Sequence, residues 1–163
     1  LIAATPYRLE RIMGFLDPQA DTQGVNYQGE QARIAIGSGR LFGMGYGQAT
    51  AKTGYLPAVI DDSIFAVIGQ ELGFAGAGAV IVFFALLSLR FFSLARRAPN
   101  RFASLILVGF GSIIAIQSLI HIGSISGIFP LTGVPLPFMS YGGTALAVFL
   151  TMSGIAVNIS KYI

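Results

Sequence analysis

The sequence predicts an all-α polytopic membrane protein, with three transmembrane helices and a long extracytoplasmic loop, and three observations carry that expectation. Of 163 residues, 54% are hydrophobic and only 10% charged, with a mean hydropathy of +0.73, whereas a soluble domain is about one quarter charged. Between Arg101 and Lys161 there is no Lys, Arg, Asp or Glu, so His121 and Tyr141 are the titratable side chains of that stretch. Three apolar segments reach the roughly 20 residues that cross a bilayer.

Residues 1–4, four apolar residues, read as the end of a preceding transmembrane helix. Residues 5–62 form the large extracytoplasmic loop. Within it Asp17-Pro18 marks a polar turn and residues 28–36 a short amphipathic helix. So long a loop without a domain of its own is uncommon unless functional or disordered, and its Phe, Leu, Tyr and Ile content argues against disorder. Residues 63–89 are the first span, 90–101 a cytoplasmic loop and 102–129 the second span. Residues 130–140 hold Pro130, Pro135 and Pro137, which forbid a continuous helix and demand a turn or re-entrant loop. Residues 141–159 are the third span and 160–163 a cytoplasmic tail. Gly69, Gly73, Gly76 and Gly78 suit close helix packing in lipid.

Charge sets the orientation. Arg90, Arg96, Arg97 and Arg101 occupy the first connector without an acid, and Lys161 follows the third span; by the positive-inside rule both clusters are cytoplasmic. Residues 5–62 and the proline loop then share the external face. A net charge of +3 could suggest nucleic acid, but ten scattered basic residues make no basic stripe. The absence of cysteine excludes a disulfide framework and a cysteine metal site.

The candidate residues each carry two readings. Gly37-Ser-Gly39-Arg-Leu-Phe-Gly43-Met-Gly45-Tyr-Gly47 suits either a phosphate cradle assisted by Arg40 and Lys52 or a flexible surface loop. Asp61-Asp62 closes the loop just before an apolar helix, where partial desolvation raises a carboxylate's pKa and prepares a base; capping that helix is the plainer role. Successive helical positions point about 100° apart, so the two acids do not form one shared-proton dyad. Glu71 lies nine residues after Asp62 and on the opposite helical face; a carboxylate at that depth costs about 3 kcal/mol unless it is paired, protonated or turned to a cavity. Gln117 and His121 share a face of the second span, where an interhelical hydrogen bond is favoured over a metal or proton-relay role.

The stretches GSGRLFGMGYGQATAKTGYLPAVIDDSIFAVIGQELGFAG (37–76), FPLTGVPLPFMSYGGTALAVFLTMSGIAVNIS (129–160) and RLERIMGFLDPQAD (8–21) closely resemble the SEDS family (shape, elongation, division and sporulation) over nearly the whole chain. The FLDP motif and the NIS-K ending are more similar to its FtsW branch than to RodA. The resemblance implies the C-terminal part of a typically ten-span peptidoglycan glycosyltransferase that polymerises lipid II at the outer face of the bacterial cytoplasmic membrane. Its implied partners are the nascent glycan strand, a class B penicillin-binding protein and other divisome or elongasome membrane proteins. The loop aspartate of the family falls on Asp62, implied as general base or as positioner of the sugar hydroxyl and a divalent cation, Mg or Mn; no organic cofactor is implied. Lys52, Tyr55 and Pro57 match the element before it, with Arg40 as a further substrate-side cation. Pro135, Pro137, Ser140, Gly142 and Gly143 match the signature loop, and Glu71 the E-L-G motif. Departures cluster beside the base, where Ala58, Ile60 and Asp61 replace the customary Glu, His and Thr, while Gln70 and His121 replace a customary Glu and Asn.

Two further readings stand beside it. A flippase or transporter of lipid-linked precursor would depend on Glu71 and His121 within the spans more than on Asp62. A non-catalytic divisome scaffold would recruit a transpeptidase through the first two spans of this chain.

Overall fold

The computed structural model describes residues 25–45, 64–140 and 142–163; the fold is all-helical among them. Helix α1 covers Val25–Ser38, α2 Ile64–Arg97, α3 Arg101–Ile125 and α4 Gly143–Ser160. The last three are long and apolar enough to cross a membrane, with mean hydropathies of 2.3, 2.1 and 1.5.

Helix α2 extends beyond the span boundary read at Leu89. Past the non-helical Gly73, the 24 residues from Phe74 to Arg97 reach roughly 36 Å at about 1.5 Å per residue, already beyond a hydrocarbon core of about 30 Å. Its last turns therefore project from the membrane, and the exposed Arg90, Arg96 and Arg97 continue it because arginine is a good helix former in water. The expected 90–101 loop shrinks to Ala98, Pro99 and Asn100. Pro99 disfavours a helical Ala98, and the Asn100 side chain caps α3 by accepting from Ala103 N at 2.8 Å.

The second span also ends sooner than residue 129. Gly127 adopts φ 79°, and Ile128 N and Gly127 N donate back to Gly123 O (2.8 Å) and Ser124 O (3.2 Å). This is a Schellman stop, in which glycine supplies the left-handed residue at no Cβ cost. Helix α4 begins at Gly143, with Gly142 as its N-cap.

Helices α2 and α3 pack side by side. A Cβ on Gly111 would stand 2.9 Å from Phe91 Cβ, so the absent side chain sets how near the two backbones come. One core cluster joins Phe84, Phe91, Leu107 and Ile114 to Phe149 and Met152 of α4 and to Leu136 of the proline loop. A second seats Ala32 and Ala35 of α1 against Phe65, Ala66, Ala77 and Ile125. Helix α1 thus lies across the start of α2 and the end of α3, the end of the bundle that also carries the proline loop. No more than 28% of any span's apolar window is buried, leaving faces that suit lipid or further helices.

Candidate functional site

Near its N-terminal end α2 is broken. Gly73 has φ 68° and ψ −164°, a region open in practice to glycine alone. In an unbroken helix Phe74 N would donate to Gln70 O, and Ala75 N to Glu71 O. Here Gln70 O and Glu71 O accept instead from Met44 N (3.0 Å) and Gly45 N (3.2 Å), while Phe74 N and Ala75 N donate to Arg40 O (2.9 Å) and Leu41 O (3.2 Å). Segment 39–45 therefore takes over the four backbone groups released by the break, which satisfies the demand that backbone in a spanning helix be paired.

The approach needs glycine on both sides. A Cβ on Gly39 would strike Gly69 O, one on Gly43 would strike Glu71 O, and one on Gly73 would strike Gly43 N. The glycine run thus permits backbone contact, and its Gly43, Met44 and Gly45 amides are already donating to carbonyls. Of the small residues expected to pack span against span, Gly69 meets Ile36 of α1 instead.

Arg40 is exposed, with φ 49°, so its guanidinium is presented beside the break while its carbonyl is bonded to Phe74. Glu71 is buried at that break, as is Gln70, whose amide Nε2 lies 3.9 Å from Met44 Sδ. Asp61, Asp62, Lys52, Tyr55 and Pro57 lie outside the described residues.

The proline loop re-enters the bundle. Leu136 is 1% exposed and Pro137 is also buried. Leu136 N donates to Ser140 Oγ at 2.7 Å, and Ser140 N donates back to Leu136 O at 3.1 Å, closing a five-residue turn. Inside it Phe138 holds φ 62°, unusual for an aromatic residue, and its ring centroid lies 5.3 Å from that of Phe149. Gln117 Nε2 donates to Pro135 O at 3.0 Å. His121 Nδ1 bonds Val134 O at 2.6 Å; a carbonyl only accepts, so Nδ1 carries the proton. In place of the interhelical bonds expected for these two side chains, these bonds run to the nonhelical proline loop. Gly142 and the exposed Gly143 follow at the start of α4.

Helix α1 links the two halves of this end. The Gly127 Cα position lies against Arg33, whose Cδ a Cβ there would approach to 3.0 Å, and Gly29 lies against Leu131. Arg33 Nε in turn donates to Gly29 O at 3.2 Å. Among the described residues no three His, Asp or Glu side chains are grouped to hold a metal ion. Residue types alone did not reveal the Gly39, Gly43 and Gly73 contact or the Leu136 anchor; the flanking prolines of Val-Pro-Leu-Pro-Phe were the available signal for the latter.

Comparison with known proteins agrees with this architecture. The chain is 43% identical over 162 residues to stage V sporulation protein E of Bacillus subtilis, covering 99% of this chain and 44% of that protein. It is 44% identical over 152 residues to the probable peptidoglycan glycosyltransferase FtsW of Enterococcus hirae, covering 93% and 38%. A solved chain from a peptidoglycan synthase complex that coordinates polymerization and crosslinking superposes with a TM-score of 0.75 at 28% identity, covering 94% of this chain and 41% of that one. The chain thus spans less than half the length of these relatives. The cell cycle protein model for FtsW, RodA and SpoVE matches residues 1–163, and with helices suited to several membrane crossings the chain belongs to this family of polytopic membrane proteins.

Proposed function

We propose that this chain is part of a peptidoglycan glycosyltransferase that polymerises lipid II at the outer face of the bacterial cytoplasmic membrane, in cell division or wall growth. The observation that supports it most is the gathering of α1, the glycine segment and the proline loop at one end of the bundle, in a chain about 40% identical to proteins named for that activity. Arg90, Arg96, Arg97 and Lys161 sit at the other end, as expected if that end is cytoplasmic.

In this reading the Asp62 carboxylate takes the proton from an acceptor sugar hydroxyl as its oxygen bonds the donor's anomeric carbon. The bond from that carbon to the lipid-linked pyrophosphate breaks, and its electron pair leaves on the pyrophosphate oxygen. Lys52 and Arg40 offset the charge that accumulates there. Tyr55, Pro57, Pro135, Ser140, Gly142 and Gly143 shape the sugar-binding surface, which the buried Pro137 supports from beneath. A Mg or Mn ion would have Asp62 as its candidate ligand; the described residues provide no cluster for one. The partner is a class B penicillin-binding protein acting on the strand produced, with other divisome or elongasome membrane proteins around it.

The test is Asp62→Ala in the intact protein, assayed for glycan strands from lipid II. Loss of polymerisation with normal membrane insertion is expected, and unchanged activity would remove the catalytic assignment. One observation favours transport of a lipid-linked precursor as the second reading: a buried carboxylate, Glu71, at a discontinuous helix, an arrangement that transporters use. Translocation across sealed vesicles that is lost in Glu71→Gln while polymerisation persists would favour that alternative.

A further inference from the structure

The proline loop is nonhelical backbone seated inside a helical bundle, and three of its residues have no N–H to contribute. Its carbonyls therefore need donors from elsewhere. Two arrive from one face of α3: Gln117 and His121, spaced by four residues and so about one turn apart, reach the consecutive carbonyls of Pro135 and Val134. His121 is 1% exposed, and the peptide unit that follows these carbonyls belongs to Leu136, the residue anchored in the core.

We propose that Gln117 and His121 are positioning residues, a two-point clamp that sets the height and tilt of the proline loop against the substrate. The inference rests on the glycosyltransferase reading for its substrate and on the geometry alone for its clamp. The loop is held from three sides. The α3 donors fix its carbonyls, Leu136 fixes its depth, and the Ser140 hydroxyl fixes the turn by receiving the Leu136 amide. Thr132, Gly133 and Met139 remain exposed between these anchors, so the surface offered outward is rigid without itself being buried. Reacting groups displaced by about 1 Å lose roughly 100-fold in rate, so a shift of that size in a loop released from its clamp would carry that loss.

The chemistry of His121 gives a sharp test, because its bond uses Nδ1. The amide nitrogen of asparagine stands where Nδ1 does, two bonds beyond Cβ, whereas that of glutamine stands nearer Nε2. In the intact protein His121→Asn should keep the clamp and His121→Gln should lose it. Gln117→Met, which keeps shape and removes the donor at a half-buried position, carries the same test should glutamine at 121 disturb the helix end.

Two readouts are made on membrane-embedded protein of equal helical content. Amide exchange of a peptide covering 130–140 should rise about 10-fold in His121→Gln and Gln117→Met and stay at the wild-type level in His121→Asn. Lipid II polymerisation should fall about 100-fold in kcat, with KM within about two-fold, in the same two variants and not in the third. Wild-type exchange in both His121→Gln and Gln117→Met would overturn the clamp, as would His121→Asn behaving like His121→Gln. If the wild-type protein makes no strands, the glycosyltransferase reading fails, and exchange alone decides the clamp.

Discussion

Gly73 of α2 lies so close to Gly43 of the preceding loop segment that a Cβ on Gly73 would strike the Gly43 amide nitrogen. The contact joins two stretches 30 residues apart in the chain and holds a spanning helix open. Gly73→Ala should therefore cost at least about 2 kcal/mol, from its positive φ alone, before the collision is counted. Gly78→Ala, with nothing within 4 Å of its Cβ, should be neutral or stabilise by up to about 1 kcal/mol. Thermal unfolding of the intact protein in detergent compares them, and equal Tm values would contradict the account of the break.

Leu136 ties the proline loop to the core of α2, α3 and α4. Leu136→Ala should destabilise by roughly 2–5 kcal/mol, while truncation of the exposed Met139 should stay within about 0.5 kcal/mol. The difference in midpoint between the two variants is the measurement; a Met139→Ala change as large as that of Leu136→Ala would refute the re-entrant seating.

Ser140 receives the Leu136 amide, and Ser140→Ala would leave that buried donor without its acceptor. A loss of about 1–3 kcal/mol follows, with faster amide exchange at Leu136. Ser140→Thr should restore protection, since the hydroxyl is retained. Failure of Ser140→Ala to alter exchange at Leu136 would show that the turn closes without the hydroxyl.

Asn100 caps α3 at the end of the bundle far from the proline loop. Asn100→Ala should cost about 0.5–2 kcal/mol and Asn100→Asp little. Because α2 and α3 turn about Pro99 there, the loss should appear in stability and, in the glycosyltransferase reading, leave polymerisation per folded molecule unchanged. A fall in kcat with an unchanged Tm would be inconsistent with a purely local cap.

Ser88 and Ser118 are 5% and 4% exposed and line a groove of about 390 Å³ between α2 and α3, together with Phe84, Leu119 and Ile122. Their hydroxyls have no hydrogen-bond partner among the described residues. Ser88→Ala and Ser118→Ala should each leave stability unchanged or raise it by up to about 1 kcal/mol, because no bond is lost and a buried hydroxyl without a partner is removed. A loss above about 1 kcal/mol, read by thermal unfolding, would mean that the intact protein supplies a partner in the groove.

The spans were legible because a bilayer imposes a length and an apolar composition that sequence displays directly. Their ends were less so. Arg90, Arg96 and Arg97 marked a membrane boundary, and the helix simply continues through it into water. The i, i+4 relation of Gln117 and His121 was readable, but its partner was not, since helical periodicity says which face a residue occupies and nothing about what packs there. The break at Gly73 was hidden for a related reason: hydropathy registers side chains, whereas the break is a backbone event made possible by having none. Asp62, on which the catalytic reading depends, was reached through motif resemblance and lies outside the described residues.

The pairing of segment 39–45 with the broken helix also bears on the order in which the chain is built. Translated from its N-terminal side, Arg40 to Gly45 leaves the ribosome before Gln70 to Ala75, so the partner segment precedes the helix that needs it. Each backbone group left unpaired in hydrocarbon costs several kcal/mol, and α2 releases four. A helix inserted with its partner already across the membrane meets that demand on arrival. Moving the glycine segment behind α2 in a permuted chain would put insertion first and leave the break unprotected during assembly.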